Sequence, residues 1–120
     1  MSFKTELVVK RIMNNDDEWE IVEPLVYDDS KYHIEVIKGF ICDFASIPQF
    51  MWNILPANGQ ETDRASVLHD YLYRFGIYPR DVCDRLFLEA MNSDGTSYIK
   101  RYAMYRAVRM FGGSSYKGKK

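Results

Sequence analysis

The sequence predicts an α+β fold, an N-terminal antiparallel β-meander followed by three α-helices that include an antiparallel helix pair. Three observations carry this expectation. Residues 1–38 hold short β-branched and aromatic runs broken by Asn, Asp and Ser, and residues 62–111 repeat apolar side chains at three- and four-residue steps. The length of 120 residues suits a single domain with one core.

Within residues 1–38 the strand-like runs are Leu7-Val8-Val9, Trp19-Glu20-Ile21-Val22, Leu25-Val26-Tyr27 and Tyr32 to Ile37. Asn14 to Asp17 and Asp28-Asp29-Ser30 supply turn residues that bond their own backbone and tolerate left-handed φ. The last run alternates, placing Tyr32, Ile34 and Val36 on one face and His33, Glu35 and Ile37 on the other. Residues 39–61 read as an irregular, buried or half-buried loop segment rich in Phe, Ile, Pro and Gly.

The first helix starts at Thr62 or Asp63 as N-cap, buries Ala65, Leu68, Leu72 and Phe75, and stops at Gly76. Pro79 suits the first turn of the second, whose stripe is Val82, Leu86, Leu88 and Met91 before Asn92-Ser93-Asp94-Gly95. The third begins near Thr96 or Ser97, carries Ile99, Ala103, Val108 and Phe111, and ends at Gly112; residues 112–120 read as a mobile basic tail.

A chain that is 47% hydrophobic and 15% aromatic is not disordered over its bulk. Its net charge of −1 argues against a uniformly basic nucleic-acid binder, and no sequence-specific nucleic-acid binding is expected. The charge is uneven, however. Residues up to Asp94 carry 9 basic and 17 acidic side chains, whereas Gly95 to Lys120 carry 7 basic and no acidic ones. Cys42 and Cys83 form no disulfide framework and read as small buried thiols. No signal-peptide pattern and no apolar run of membrane-spanning length is visible.

The chemistry concentrates in His69-Asp70-Tyr71-Leu72-Tyr73 and Arg80 to Phe87. At about 100° per residue, His69 and Tyr73 share a helix face while Asp70 points elsewhere. A tight connection over Gly76 to Pro79 would bring Asp84 back alongside His69. A carboxylate on one ring nitrogen fixes the tautomer and leaves the other nitrogen to take a proton from water. Asp70 would be available to a hard cation or a basic partner. The alternative is structural: a carboxylate between helices commonly pairs with an arginine such as Arg64, Arg80 or Arg85.

The string His69-Asp70-x-x-Tyr73 followed by Cys83-Asp84-x-x-Phe87 resembles the core of the phospholipase A2 superfamily, especially its viral capsid and bacterial branches. The resemblance implies that His69 is the general base, Asp84 its orienting carboxylate, Tyr73 a hydroxyl donor to Asp84, and Asp70 a ligand of Ca2+. The nearest counterpart of that family's calcium loop is Leu55 to Gln60, which makes Asn58 and Gly59 the further ligands. Calcium would polarise the ester carbonyl of a phospholipid.

A second likeness spans most of the chain. Gly39-Phe40-x-x-Asp43-Phe44-Ala45-Ser46-Ile47-Pro48, His69 to Tyr73, Arg80-x-x-x-Asp84 and Met104-Tyr105-x-Ala107-Val108-Arg109 resemble an uncharacterised family of tailed bacteriophages and prophages. This implies a protein made in the host cytoplasm, with or without incorporation into the virion, and with virion or tail proteins as partners.

Ser46, His69 and Asp84 could form a nucleophilic triad, yet no nucleophile elbow surrounds Ser46, so Asp43 and Ser46 read as stabilisers of their loop. A metal phosphohydrolase would use His33, His69, Asp70 and Asp84, but His33 sits in an alternating strand and reads as a surface or edge histidine. In the third helix the aromatic residues are expected to face the core and the charges to face solvent, which leaves the lysine-rich C-terminus as the weak contact with anionic surfaces. Two functions follow as expectations. One is a phospholipase A2-like, calcium-assisted hydrolase, active or degenerate. The other is a non-enzymatic virion or tail protein held together by a buried network of His69, Asp70, Asp84, Arg80 and Arg109.

Overall fold

The computed structural model describes residues 2–5, 9–11, 19–29, 31–42 and 60–116. Among the described residues six short strands precede three helices, as the α+β expectation requires. The strands are β1 (Ser2–Phe3), β2 (Val9–Arg11), β3 (Trp19–Ile21), β4 (Leu25–Asp28), β5 (His33–Val36) and β6 (Ile41–Cys42). The helices are α1 (Gln60–Phe75), α2 (Arg80–Ser93) and α3 (Tyr98–Phe111), followed by a 3-10 turn at Gly112–Ser115.

The strands pair as two antiparallel sheets, β1-β4-β5 and β2-β3-β6, and not as one continuous meander. The break falls between Ile21 and Leu25, where Pro24 has no amide hydrogen to donate and restricts the residue before it, so β3 and β4 do not close a hairpin. β4 and β5 do close one, with Leu25 opposite Val36 and Tyr27 opposite Ile34, and the Asp29 amide bonds the Tyr32 carbonyl at 2.7 Å. The alternation in β5 is as expected: Ile34 and Val36 are buried, and His33, Glu35 and Ile37 are exposed. His33 lies on an edge strand and pairs with Asp28.

Leu25, Tyr27, Ile34 and Val36 from the first sheet, with Ile21 and Cys42 from the second, join the buried sides of the helices in one core. Arg64 secures this junction. It donates to both carboxylate oxygens of Asp94 (3.0 and 2.6 Å) and to the Thr5 carbonyl (3.0 Å), and its guanidinium lies 4.8 Å from the Phe3 ring centre. The partner of Arg64 is thus the end of α2, not the carboxylate beside His69.

Among the described residues the Tyr27 hydroxyl is a buried polar group with no hydrogen-bond partner. Burying an unpaired hydroxyl costs on the order of 1–3 kcal/mol, while its ring fills the core beside Phe3, 4.9 Å away. Tyr27→Phe is therefore expected to stabilise the fold by about 1 kcal/mol in urea denaturation; a loss of stability would reveal a partner for the hydroxyl.

α1 and α2 run antiparallel. Contacts move from Tyr73 with Asp84, through His69 with Phe87, to Arg64 with Asp94, one index falling as the other rises. Gly76 makes the reversal possible at φ 57°, a region that suits glycine, and its amide closes the last turn of α1 on Leu72. Pro79 then caps α2. α1 starts at Gln60, so Thr62 and Asp63 fall in its first turn and are not its cap. Ser97 caps α3, its hydroxyl accepting from the Lys100 amide.

The inward faces differ in part from the expected stripes. Ala65, Leu68 and Leu72 are buried on α1, but Phe75 is exposed at its end. α2 buries Cys83, Asp84, Leu86, Phe87, Ala90 and Met91. α3 buries Met104, Ala107 and Val108, and leaves Ile99, Ala103 and Phe111 exposed. Residues 112–116 belong to the packed fold: Tyr116 is buried, meets the Tyr73 ring edge-on at 5.4 Å and donates its hydroxyl to the Tyr78 carbonyl at 2.7 Å. Lys117, Lys119 and Lys120 lie outside the described residues. Among the described residues, no helix is long and apolar enough to cross a membrane.

Candidate active site

His69 stands one turn before Tyr73 on the side of α1 that meets α2. The antiparallel crossing places Asp84, in the second turn of α2, between them. His69 Nε2 lies 2.7 Å from Asp84 Oδ1, and the Tyr73 hydroxyl donates to the same oxygen at 2.6 Å. Arg109, from the last turn of α3, donates Nη1–H to Asp84 Oδ2 at 2.8 Å. One carboxylate thus holds groups from two other helices.

Arg80 forms an outer support. Its Nε donates to the Tyr73 hydroxyl at 3.0 Å, and its Nη2 donates to the carbonyls of Val108 and Arg109 at 2.8 and 2.7 Å. Those carbonyls lie in the last turn of α3, where Val108 O also accepts from the Gly112 amide, and a cation at a helix C-terminus suits the helix dipole. The guanidinium remains 4.0 Å from Asp84 Oδ2.

His69 and Asp84 have no exposed surface. The His69 ring lies between those of Tyr73 and Phe87, with centres 4.1 and 4.7 Å away. Burial pushes the imidazole below its ordinary value of 6.5, against the upward pull of Asp84. Burial alone would raise Asp84, but hydrogen bonds from His69, Tyr73 and Arg109 outweigh it and leave the carboxyl below its ordinary value. Tyr73 is held as a phenol by burial and by its bond to Asp84. At neutral pH the pair is therefore neutral imidazole and carboxylate: Nε2–H donates to Asp84, and Nδ1 carries the ring's lone pair.

The sequence-predicted residues fall into three groups. His69, Asp84, Tyr73, Arg80 and Arg109 come together in one network. Asp70 is buried on α1 beside His69. Asp43, Ser46, Asn58 and Gly59 lie outside the described residues. Among the described residues no three His, Cys, Asp or Glu side chains gather as metal ligands, so the phosphohydrolase set of His33, His69, Asp70 and Asp84 is not formed. The exposed position of His33 and its pairing with Asp28 account for this. For calcium the described residues offer only Asp70 of the predicted ligands, whereas the ion takes 6–8 oxygens. They do not by themselves fit it.

Cys83 is buried, its thiol 3.4 Å from the Tyr78 carbonyl, and burial pushes it up to about 12, which suits a core filler and not a nucleophile. Two contributions escaped the sequence reading. Phe87 stacks on His69, although its spacing from Asp84 placed both on one helix face. The Arg80 contacts with backbone carbonyls 28 and 29 residues away left no local signal.

No curated protein and no solved structure matches the chain. Residues 19–108, which contain His69, Tyr73, Arg80 and Asp84 and end one residue before Arg109, match the family described as Protein of unknown function (DUF1353), and the chain belongs to that family.

Proposed function

We propose that this chain is a small ester hydrolase of the phospholipase A2 type, in which His69 is the general base and Asp84 its orienting carboxylate. One observation carries the reading: Asp84 Oδ1 lies within hydrogen-bond distance of both His69 Nε2 and the Tyr73 hydroxyl, the contacts that the motif resemblance implies. Nδ1 acts once an opening beside the fully buried ring admits water and ester. With Nε2–H on Asp84, it takes a proton from the water as the water oxygen adds to the ester carbonyl, and the imidazolium returns that proton to the alcohol oxygen as the acyl C–O bond breaks. The imidazolium that forms is stabilised by the carboxylate 2.7 Å away. Tyr73 and Arg109 hold that carboxylate, and Arg80 holds Tyr73.

The test is release of fatty acid from phospholipid vesicles by the full chain, measured with added calcium and with a chelator. Wild-type release above the blank, reduced about 10²–10⁴-fold in His69→Gln, supports the reading. Equal release by the two proteins, or none from wild type in either condition, overturns it.

The complete burial of His69 and the Arg109 charge on Asp84 favour a second reading, a virion or tail-associated structural protein whose polar network pins three helices together. A chain inactive in both conditions, yet severely destabilised by loss of Asp84, is the result that reading expects.

A further inference from the structure

We infer that the outer face of α3 is a docking surface for an anionic phospholipid bilayer. α3 is apolar on two sides. Met104, Ala107 and Val108 face the core, and the opposite side exposes Tyr98, Ile99, Tyr102, Ala103 and Met110. These are not marginal exposures: Ile99 is 82% and Met110 72% accessible, and Tyr98 65%. At about 100° per residue they fall with Arg106 on one continuous stripe.

Charge decides the occupant. α3 carries Lys100, Arg101 and Arg106, beside Arg109 whose charge is paired with Asp84, and no acidic residue, and the chain has none from Gly95 onward. A second copy docked by the same stripe would bring both Arg106 charges into one contact with no acidic residue of α3 to offset them. An anionic bilayer accepts both features, since its headgroups attract the arginines while the apolar side chains enter the interfacial layer. Tyr98 and Tyr102 suit that boundary, with an apolar ring and a polar hydroxyl. Their rings stack at 4.6 Å, and the Arg101 guanidinium lies 5.3 and 5.7 Å from their centres, which aligns aromatic and cationic groups along the stripe. The surface stands independently of the role given to His69.

The test is flotation of the full chain with vesicles of ether-linked lipid, which has no ester to hydrolyse: phosphatidylglycerol mixed equally with phosphatidylcholine, against phosphatidylcholine alone. The wild type is expected to float with the anionic vesicles only, and less so as salt rises. Ile99→Asp combined with Met110→Asp changes only exposed positions and is expected to lower binding about tenfold or more. Replacing Lys117, Lys119 and Lys120 by Gln is expected to leave most binding intact. No flotation of wild type, undiminished flotation of the double variant, or binding abolished by the tail variant alone overturns the proposal. So does a wild-type dimer in light scattering that the double variant dissolves, which would assign the face to a second copy.

Discussion

Asp84→Ala is expected to destabilise the protein by about 3–5 kcal/mol, the cost of removing one member of a buried charged cluster. The carboxylate has no exposed surface and holds His69, Tyr73 and Arg109 at 2.6 to 2.8 Å. Truncation leaves a buried hydroxyl and imidazole without their acceptor and an arginine without its counter-charge. The losses at buried His69 and Tyr73 exceed what a solvent-exposed ion pair contributes, about 0–1 kcal/mol, while Arg109, 37% exposed, adds less. The Arg109 contact is also one of the links from α3 to the α1–α2 pair, beside the two Arg80 bonds to α3 carbonyls, so α3 should loosen first. Urea denaturation measures the total, and hydrogen exchange along α3 locates it. A change below about 1 kcal/mol would mean that the cluster does not hold the helices together.

His69→Gln is expected to separate chemistry from folding. The glutamine amide can still donate to Asp84, so the network keeps a partner, but it offers no basic nitrogen to water. Hydrolysis should fall about 10²–10⁴-fold while the fold persists. The same variant changes the response to acid. In the folded chain burial holds His69 below 6.5, the value at which an unperturbed imidazole titrates. Below that pH the unfolded chain binds a proton that the folded chain refuses. The histidine's contribution to stability is therefore fully present above 6.5 and is lost as pH falls toward the lowered folded value. In His69→Gln that part of the acid sensitivity should be absent.

The reach of the sequence depended on how local each determinant was. The α1–α2 pair was legible because Gly76 and Pro79 bound a short connection and because His69, Tyr73 and Asp84 fall at helical spacings around it. The strand runs were legible from alternation, but their division into two sheets was not, since it depends on which distant segments pair: β1 with β4, and β6 with β3. α3 misled the pattern for a different reason. With Tyr98, Ile99, Tyr102, Met110 and Phe111 added to Met104, Ala107 and Val108, apolar side chains surround the helix, and periodicity does not select the face that packs. Its aromatic residues therefore do not all turn inward as expected; Tyr98 and Phe111 face solvent. Arg80 was visible as a charged neighbour of Asp84. Its main partners, the Tyr73 hydroxyl and two α3 carbonyls, depend on tertiary packing.

The proposed chemistry requires His69 to be a neutral base whose Nε2–H is committed to Asp84. With only two histidines in the chain, a nitrogen–proton correlation spectrum of the imidazoles, assigned with His69→Gln, reads this directly. The predicted result is a His69 ring that stays neutral as pH falls through 6.5, protonated at Nε2 and unprotonated at Nδ1. A doubly protonated ring at neutral pH, or a proton on Nδ1 with Nε2 bare, would contradict it.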